Sequence, residues 1–497
     1  MGRGIAQVAA AAGLRVLLAD VSSGAAEAAR DFAARMLGRA AEKGRTTREE
    51  AEAAVARIEP VPGIAQLESC AVVVEAIVED LDVKRELFRE LERVVAADCI
   101  LASNTSSLSI TAIAAACERP QRVAGAHFFN PVPLMKLVEI VHGERTEPAV
   151  VDALVKLVET FGHRAVRVRD VPLFLVNHVG RGYSVEALAL LDEGVAIVTD
   201  IDDVMREAAG FPMGPFELFD LTALDVSHRA MESSFAQFYG EPRLRPSPET
   251  RRRFEAGLLG RKVGEGFYRY AEGTRVGDAD SGAAGLPTRL PHRVWISRDD
   301  PACADLLARG LEGLADRIEL EQGAQPSASA LCLVTPMGED ATTSATRQSL
   351  DPARTLAVDT LLEFDKRVTL MATPLTARAK RDEGAALFAA TGARVTTIAD
   401  SAGFIAQRIL AAVVNIACAV AQARIGTPQD IDDAVRIGRG YPLGPLTWGD
   451  RLGPRRVLRI LETMHATTGE ARYRPSSWLR RRALLDVSLK APDLAVG

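Results

Sequence analysis

Three side chains in this sequence are placed to do acid–base chemistry, each beside or within an apolar run. His127 ends the run Arg122-Val123-Ala124-Gly125-Ala126, and Glu139 lies inside Leu137-Val138-Glu139-Ile140, twelve residues further on. That spacing allows a strand, a turn and a return strand. A carboxylate on one imidazole nitrogen fixes the tautomer and raises the basicity of the other, as a general base requires. Ser106 lies in Ser103-Asn104-Thr105-Ser106-Ser107, just after a predicted strand over residues 99–102. Hydroxyls at the carboxyl end of a parallel strand are where open α/β sheets bind ligands. Ser106 or Ser107 taken alone could instead cap the helix that follows.

A second candidate site opens the chain. Met1-Gly2-Arg3-Gly4 leads into a helix predicted over residues 4–12, a turn at Gly13, and a strand over 15–19 that ends in Asp20. This pattern fits the latter part of a dinucleotide-binding βαβ unit, with Gly2 as the third glycine of GxGxxG. Asp20 follows Gly2 by eighteen residues, near the ribose-binding acid of that motif. An acid there selects NAD over NADP, because it would repel a 2′-phosphate. No first strand and no first two glycines precede Gly2 in the sequence, so the expectation is a chain begun at an internal methionine.

The elements that must position these groups fill a long chain. Its 497 residues, 47% hydrophobic and 25% charged, suit a globular protein of three or four domains. Net charge is −6, from 60 basic and 66 acidic residues, without the basic excess of a nucleic-acid binder. The longest apolar stretch, residues 409–423, is broken by Asn415 and Gln422 and reads as a buried helix rather than a membrane span. Six scattered cysteines without metal-type spacing point to reduced thiols in a cytoplasmic protein. The segment after residue 170 recurs without a gap at a spacing of 230. Asp170, Phe174, Asp200-Ile201-Asp202-Asp203 and Pro212-Met213-Gly214-Pro215 become Asp400, Phe404, Asp430-Ile431-Asp432-Asp433 and Pro442-Leu443-Gly444-Pro445. Each copy reads as an all-helical module.

Several long motifs in order resemble the L-3-hydroxyacyl-CoA dehydrogenases: VVEAIVEDLDVKRELF (73–88), ASNTSSLSI (102–110), GAHFFNPVPLMKLVEI (125–140), FPMGPFEL (211–218) and GRKVGEGFYRY (260–270). The resemblance implies an NAD-binding Rossmann-like α/β domain over 1–170, lacking its first strand, and a helical domain over 171–272. A linker over 273–290, a degenerate Rossmann-like domain over 291–399 and a second helical domain over 400–497 would follow. It also implies NAD-dependent oxidation of (S)-3-hydroxyacyl-CoA to 3-oxoacyl-CoA, in fatty-acid or aromatic-derived acyl-CoA β-oxidation. His127 would be the base, Glu139 its orienting partner, and Ser106 a hydrogen-bond donor to the reacting oxygen. Asn177 would complete the site. Gly2, Gly4, Asp20, Glu79, Lys84, Ser106 and Asn130 would face the cofactor, and Lys43 the CoA phosphates; for Lys43 and Lys84 the alternative is a solvated charge on a helix face.

The second half offers no histidine between His292 and His465, so it reads as structural or substrate-shaping. In the family the helical domain mediates dimerisation, so two copies in one chain imply an intrachain pseudo-dimer or a homodimer. The chain departs from the family pattern at Leu173, where a glycine is expected, and at His178, where an arginine is expected; the second copy keeps Gly403 and Arg408. The rival reading is a non-catalytic acyl-CoA-binding scaffold that has lost its cofactor loop.

Overall fold

The computed structural model describes residues 1–276 and 288–493, and the chain divides into two compact units. The first holds Met1–His178 together with Val420–Arg439, and the second holds Val179–Ala419 with Gly440–Gly497. This division cuts across the linear succession of domains expected from the sequence, because each unit takes up part of a helical module.

The first unit opens with α1 (Gly2–Ala11), β1 (Val16–Ala19), α2 (Ala25–Glu42), α3 (Arg48–Ala56) and β2 (Ile58–Val61). It continues with β3 (Val72–Glu75), α4 (Leu81–Val94), β4 (Ile100–Ser103), α5 (Ile110–Ala114), β5 (Val123–Phe128), β6 (Leu137–His142), α6 (Pro148–Thr160) and β7 (Arg164–Arg169). β3-β4-β5-β6-β7 form one sheet in that order, parallel except for the antiparallel β5–β6 pair. β1 and β2 form a separate parallel pair, and no strand joins β1 to β3 among the described residues. The Rossmann-like part thus holds two sheets, β1-β2 and β3-β4-β5-β6-β7.

Local chemistry explains the elements around the site. Asp80 caps α4 by accepting from the amides of Asp82 and Val83. Lys84, Phe88 and Leu91 lie on one face of α4, at i, i+4 and i+7, and all three are buried. β4 and β5 are buried along their whole length, and the core gathers Ala102, Ala124, Ala126, Val138, Ile140 and Leu154.

The second unit holds most of α7 (Val176–Asp192) and the helices that follow, then the hairpin β8 (Arg269–Ala271) and β9 (Thr274–Val276). The expected linker therefore begins in ordered strand, and its stretch over 277–287 lies outside the described residues. β10 (Arg293–Ile296), β11 (Glu319–Glu321), β12 (Leu331–Val334), β13 (Thr355–Val358), β14 (Arg367–Ala372) and β15 (Arg394–Ile398) make a six-stranded sheet, β11-β10-β12-β13-β14-β15, again with one antiparallel pair. The helix Ile405–Gln422 is long and apolar enough to cross a membrane, but 83% of it is buried inside the protein, as a core helix is.

Candidate functional site

The antiparallel turn between β5 and β6 sets His127 directly opposite Glu139. His127 Nδ1 lies 2.6 Å from Glu139 Oε2, and Glu139 is wholly buried. The other oxygen of Glu139 accepts from the backbone amides of Leu175 (3.0 Å) and Val176 (2.8 Å). An ionised carboxylate only accepts, so the imidazole must donate from Nδ1, which leaves Nε2 to take or give a proton. The rings of Phe129 and Phe174 stand 4.5 and 5.8 Å from the imidazole and give it an apolar surround.

Those two amides come from an unusual stretch of backbone. Leu173 and Phe174 both take left-handed conformations, with φ of 67° and 51°. The second copy has Gly403 at the matching place, with φ of 81°. A side chain in that region costs about 1 kcal/mol against glycine. Leu173 is 6% exposed, so its burial offsets that strain.

The loop after β4 forms a second network. Glu79 accepts from Thr105 Oγ1 (2.7 Å), the Ser106 amide (2.9 Å), and the Ser107 amide and hydroxyl (3.1 and 2.9 Å). Burial pushes the Glu79 carboxyl up, but these hydrogen bonds and the nearby Lys84 outweigh it, so it lies below the usual carboxylate range. Ser106 remains exposed beside this anchor, its hydroxyl 3.4 Å from Glu79. Neither Ser106 nor Ser107 caps the following helix. Ser109 caps α5, and Asp170 at the end of β7 holds the same turn through the Ser109 hydroxyl and the amides of Ile110 and Thr111. Asn104 ties the two strand ends together by accepting from the Phe128 amide at 2.9 Å.

Lys84 is not a solvated charge on a helix face. Its side chain is 1% exposed and pairs with the equally buried Glu75 at 2.5 Å and with Glu79 at 3.5 Å. Its place on the apolar stripe with Phe88 and Leu91 was the signal for burial. Glu75, which also accepts from Ser103 Oγ at 2.6 Å, was passed over in the sequence although it lies inside the 73–88 motif. Lys43 stands exposed at the C-cap of α2, outside both networks. Asn130 is exposed, three residues past His127. Asn177, one residue beyond the Val176 amide, accepts from the Arg439 guanidinium at 3.0 Å. No local pattern could have revealed that partner, 262 residues away.

The opening helix fits a dinucleotide. α1 starts at Gly2 with no side chain capping it and no acid in its first turn, which leaves its positive end suited to phosphate. A Cβ on Gly4 would meet Val132 Cβ at 3.0 Å, so glycine lets α1 pack closely there. Asp20 is exposed at the end of β1, held only by the Ser22 amide at 2.8 Å among the described hydrogen bonds.

The second α/β part carries other residues in the same places. Continuing the β13–β14 register sets Asp359 opposite Thr369, through the Asp359 amide and Thr369 carbonyl at 3.0 Å, where the first part has His127 and Glu139. Gln407, in the place of Asn177, fills that position with its own bonds: to Asp359 Oδ1 (3.0 Å), the Pro336 carbonyl (3.1 Å) and the Gly338 amide (2.8 Å). No imidazole stands there.

Comparison with known proteins supplies a family. The family model described as "3-hydroxyacyl-CoA dehydrogenase, NAD binding domain" matches residues 1–171, and "3-hydroxyacyl-CoA dehydrogenase, C-terminal domain" matches 174–270 and 403–489. The chain is 37% identical to the 3-hydroxyadipyl-CoA dehydrogenase of Escherichia coli, over 98% of this chain and 96% of that one. It is 41% identical to the mitochondrial hydroxyacyl-coenzyme A dehydrogenase of Sus scrofa, over 54% of this chain and 88% of the relative. A crystal structure titled 3-hydroxybutyryl-CoA dehydrogenase from Escherichia coli superposes with a TM-score of 0.86 at 37% identity, covering 98% of this chain and 96% of that one.

Proposed function

Since the chain belongs to the 3-hydroxyacyl-CoA dehydrogenase family and carries out NAD-dependent oxidation of 3-hydroxyacyl-CoA, we propose that His127 is the general base of that reaction. His127 Nε2 takes the proton of the C3 hydroxyl, which lets hydride leave C3. NAD supplies the hydride acceptor. Glu139 holds the imidazole by its Nδ1–H and stabilises the imidazolium that forms. Ser106 and Asn177 hydrogen-bond the C3 oxygen and keep the carbon oriented. Asp20 receives the adenosine ribose hydroxyls, and the start of α1 faces the pyrophosphate. The observation that carries this reading is the 2.6 Å His127–Glu139 contact, with the carboxylate fixed by two backbone amides. A scaffold without catalysis is not favoured, because a buried carboxylate that fixes one imidazole nitrogen and leaves the other open has no evident use in passive binding.

The substrate proposed is a short-chain acyl-CoA, in keeping with the names of the Escherichia coli relative and of the Escherichia coli crystal structure. The free cysteines suit the cytoplasm. An intrachain pseudo-dimer is supported by the make-up of the units. The first includes the helix Pro428–Arg439 of the second module, and the second includes Val198–Asp203 of the first. The test of function is NADH formation from NAD and (S)-3-hydroxybutyryl-CoA, with Ser106→Ala alongside. Turnover that Ser106→Ala lowers supports the assignment; turnover indifferent to Ser106 and equal for the (R) isomer overturns it.

A further inference from the structure

The two copies of the helical module differ at three places that matter. The helix Pro428–Arg439 ends in Gly438 and Arg439 and is preceded by Gly426; at a spacing of 230 the first copy has Ala208, Ala209 and Ala196. In the first unit each of these three residues touches the segment that serves the candidate base. A Cβ on Gly426 would meet Leu175 Cδ1 at 2.6 Å. A Cβ on Gly438 would meet Leu137 Cδ2 at 2.8 Å and the Val176 methyls at 3.2 and 3.3 Å. Leu175 and Val176 are the residues whose amides hold Glu139. Arg439 donates to Asn177 Oδ1 at 3.0 Å.

The helix is fastened to the same unit at its other end. Arg164 bonds Asp430 at 2.7 Å and Asp433 at 3.2 Å, and the Arg169 amide donates to the Ile425 carbonyl at 2.9 Å. The alanines of the first copy could make no guanidinium contact. The difference therefore falls on the copy that serves the half with the histidine, and the half with Asp359 and Gln407 has no counterpart.

We propose that Arg439 is a positioning residue for the dehydrogenase reaction, holding the Asn177 carboxamide so that its Nδ2–H faces the substrate's C3 oxygen. The inference rests on the reading of Asn177 as a substrate contact. A guanidinium that donates to Oδ1 fixes which end of the amide is the donor, and it polarises the amide so that Nδ2–H becomes a stronger one. The second helical module, which has no base of its own, thereby contributes to the single site through this residue and the two glycine contacts.

A double-mutant cycle in the full chain tests this, with Arg439→Gln, Asn177→Ala and the pair, and with Arg439→Lys as the conservative variant. Arg439→Gln should lower kcat on the order of 10- to 100-fold with little change in KM, as expected for a small misplacement of a reacting group. Arg439→Lys should restore a large part of that loss. Added to Asn177→Ala, Arg439→Gln should cost less than about twofold more, because both act through one amide. Losses that multiply in the double variant overturn the proposal while leaving Asn177 as a substrate contact. An Asn177→Ala chain with unchanged kinetics overturns the proposal together with that role for Asn177. His127 is tested by its own variant and is untouched by either result. Should Arg439→Gln fail to fold, Arg439→Met, which removes the donor but keeps the stem, must show a kcat loss that Asn177→Ala masks; additivity there also refutes it.

Discussion

Replacing Glu139 by glutamine separates orientation from mere filling of space. The carboxylate offers one oxygen to the Leu175 and Val176 amides and the other to His127 Nδ1. A carboxamide has a single oxygen. If that oxygen keeps the two backbone donors, its NH2 group faces Nδ1 and donates to it, which moves the imidazole proton to Nε2. The nitrogen that must accept the hydroxyl proton is then blocked. If the amide turns over, its NH2 meets two backbone N–H groups, and buried donors are left unpaired at about 1–3 kcal/mol each. The first arrangement costs less, so the chain folds but its base is silenced. General base catalysis supplies about 10²- to 10⁴-fold, or roughly 3–5 kcal/mol of barrier, and Glu139→Gln should forfeit most of it. The assay is steady-state NADH formation with (S)-3-hydroxybutyryl-CoA across the pH range around neutrality. The expected result is a fall in kcat of that size, KM nearly unchanged, and a residual rate that climbs with pH as hydroxide substitutes for the imidazole. A loss under about tenfold with the wild-type pH profile would refute the orienting role.

Other consequences of the structure can be measured separately. Burial pushes the Asp359 carboxyl up from 3.8 to about 6, against the hydrogen bonds of Gln407 and Leu361. A raised carboxyl favours the protonated folded state, so stability is lost as pH rises from about 4 to about 6, by about 3 kcal/mol in all. Asp359→Asn keeps the oxygen that accepts from Gln407 and should melt higher than wild type above that window, with the gap closing toward pH 4; a gap independent of pH would contradict this. Lys84→Met leaves Glu75 buried without its cation, so denaturant melts should show about 3–5 kcal/mol of lost stability, and an unchanged midpoint would count against the ion pair's role. Gly125→Ala places a Cβ 2.8 Å from Val141 Cβ and 2.9 Å from Ile110 Cδ1, two residues before His127. It should cost about 1–3 kcal/mol, read by the same melts, and a neutral effect would mean that β5 and β6 can part without loss.

The chemistry was legible in the sequence where it depends on neighbours in one sheet. A histidine at a strand end and a glutamate twelve residues later can meet by one turn and one return strand, and β5 and β6 do so. The left-handed backbone at Leu173 had one hint in the sequence, Gly403 at the matching place of the second copy; Phe174, which shares the conformation, had none. Ser109, not Ser106 or Ser107, proved to cap α5, because Glu79 had already engaged the two earlier serines; the competition between a cap and a carboxylate from another loop has no local signature. The alternative of a solvated Lys84 fails, because its spacing with Phe88 and Leu91 places it on the buried face of α4. The division into units was hidden for a different reason. Residues 420–439 join the first unit through Arg164, Arg169 and the close seats of Gly426 and Gly438, all contacts between positions more than 250 residues apart.

The most direct test of a single site at His127 is the rate of NADH formation by the full-length His127→Ala chain with (S)-3-hydroxybutyryl-CoA. The account predicts a kcat at least about 10²-fold below wild type, with NADH still bound and the melting temperature preserved, because Asp359 and Gln407 leave the second half without a base. A folded His127→Ala chain that retained near wild-type turnover would contradict it.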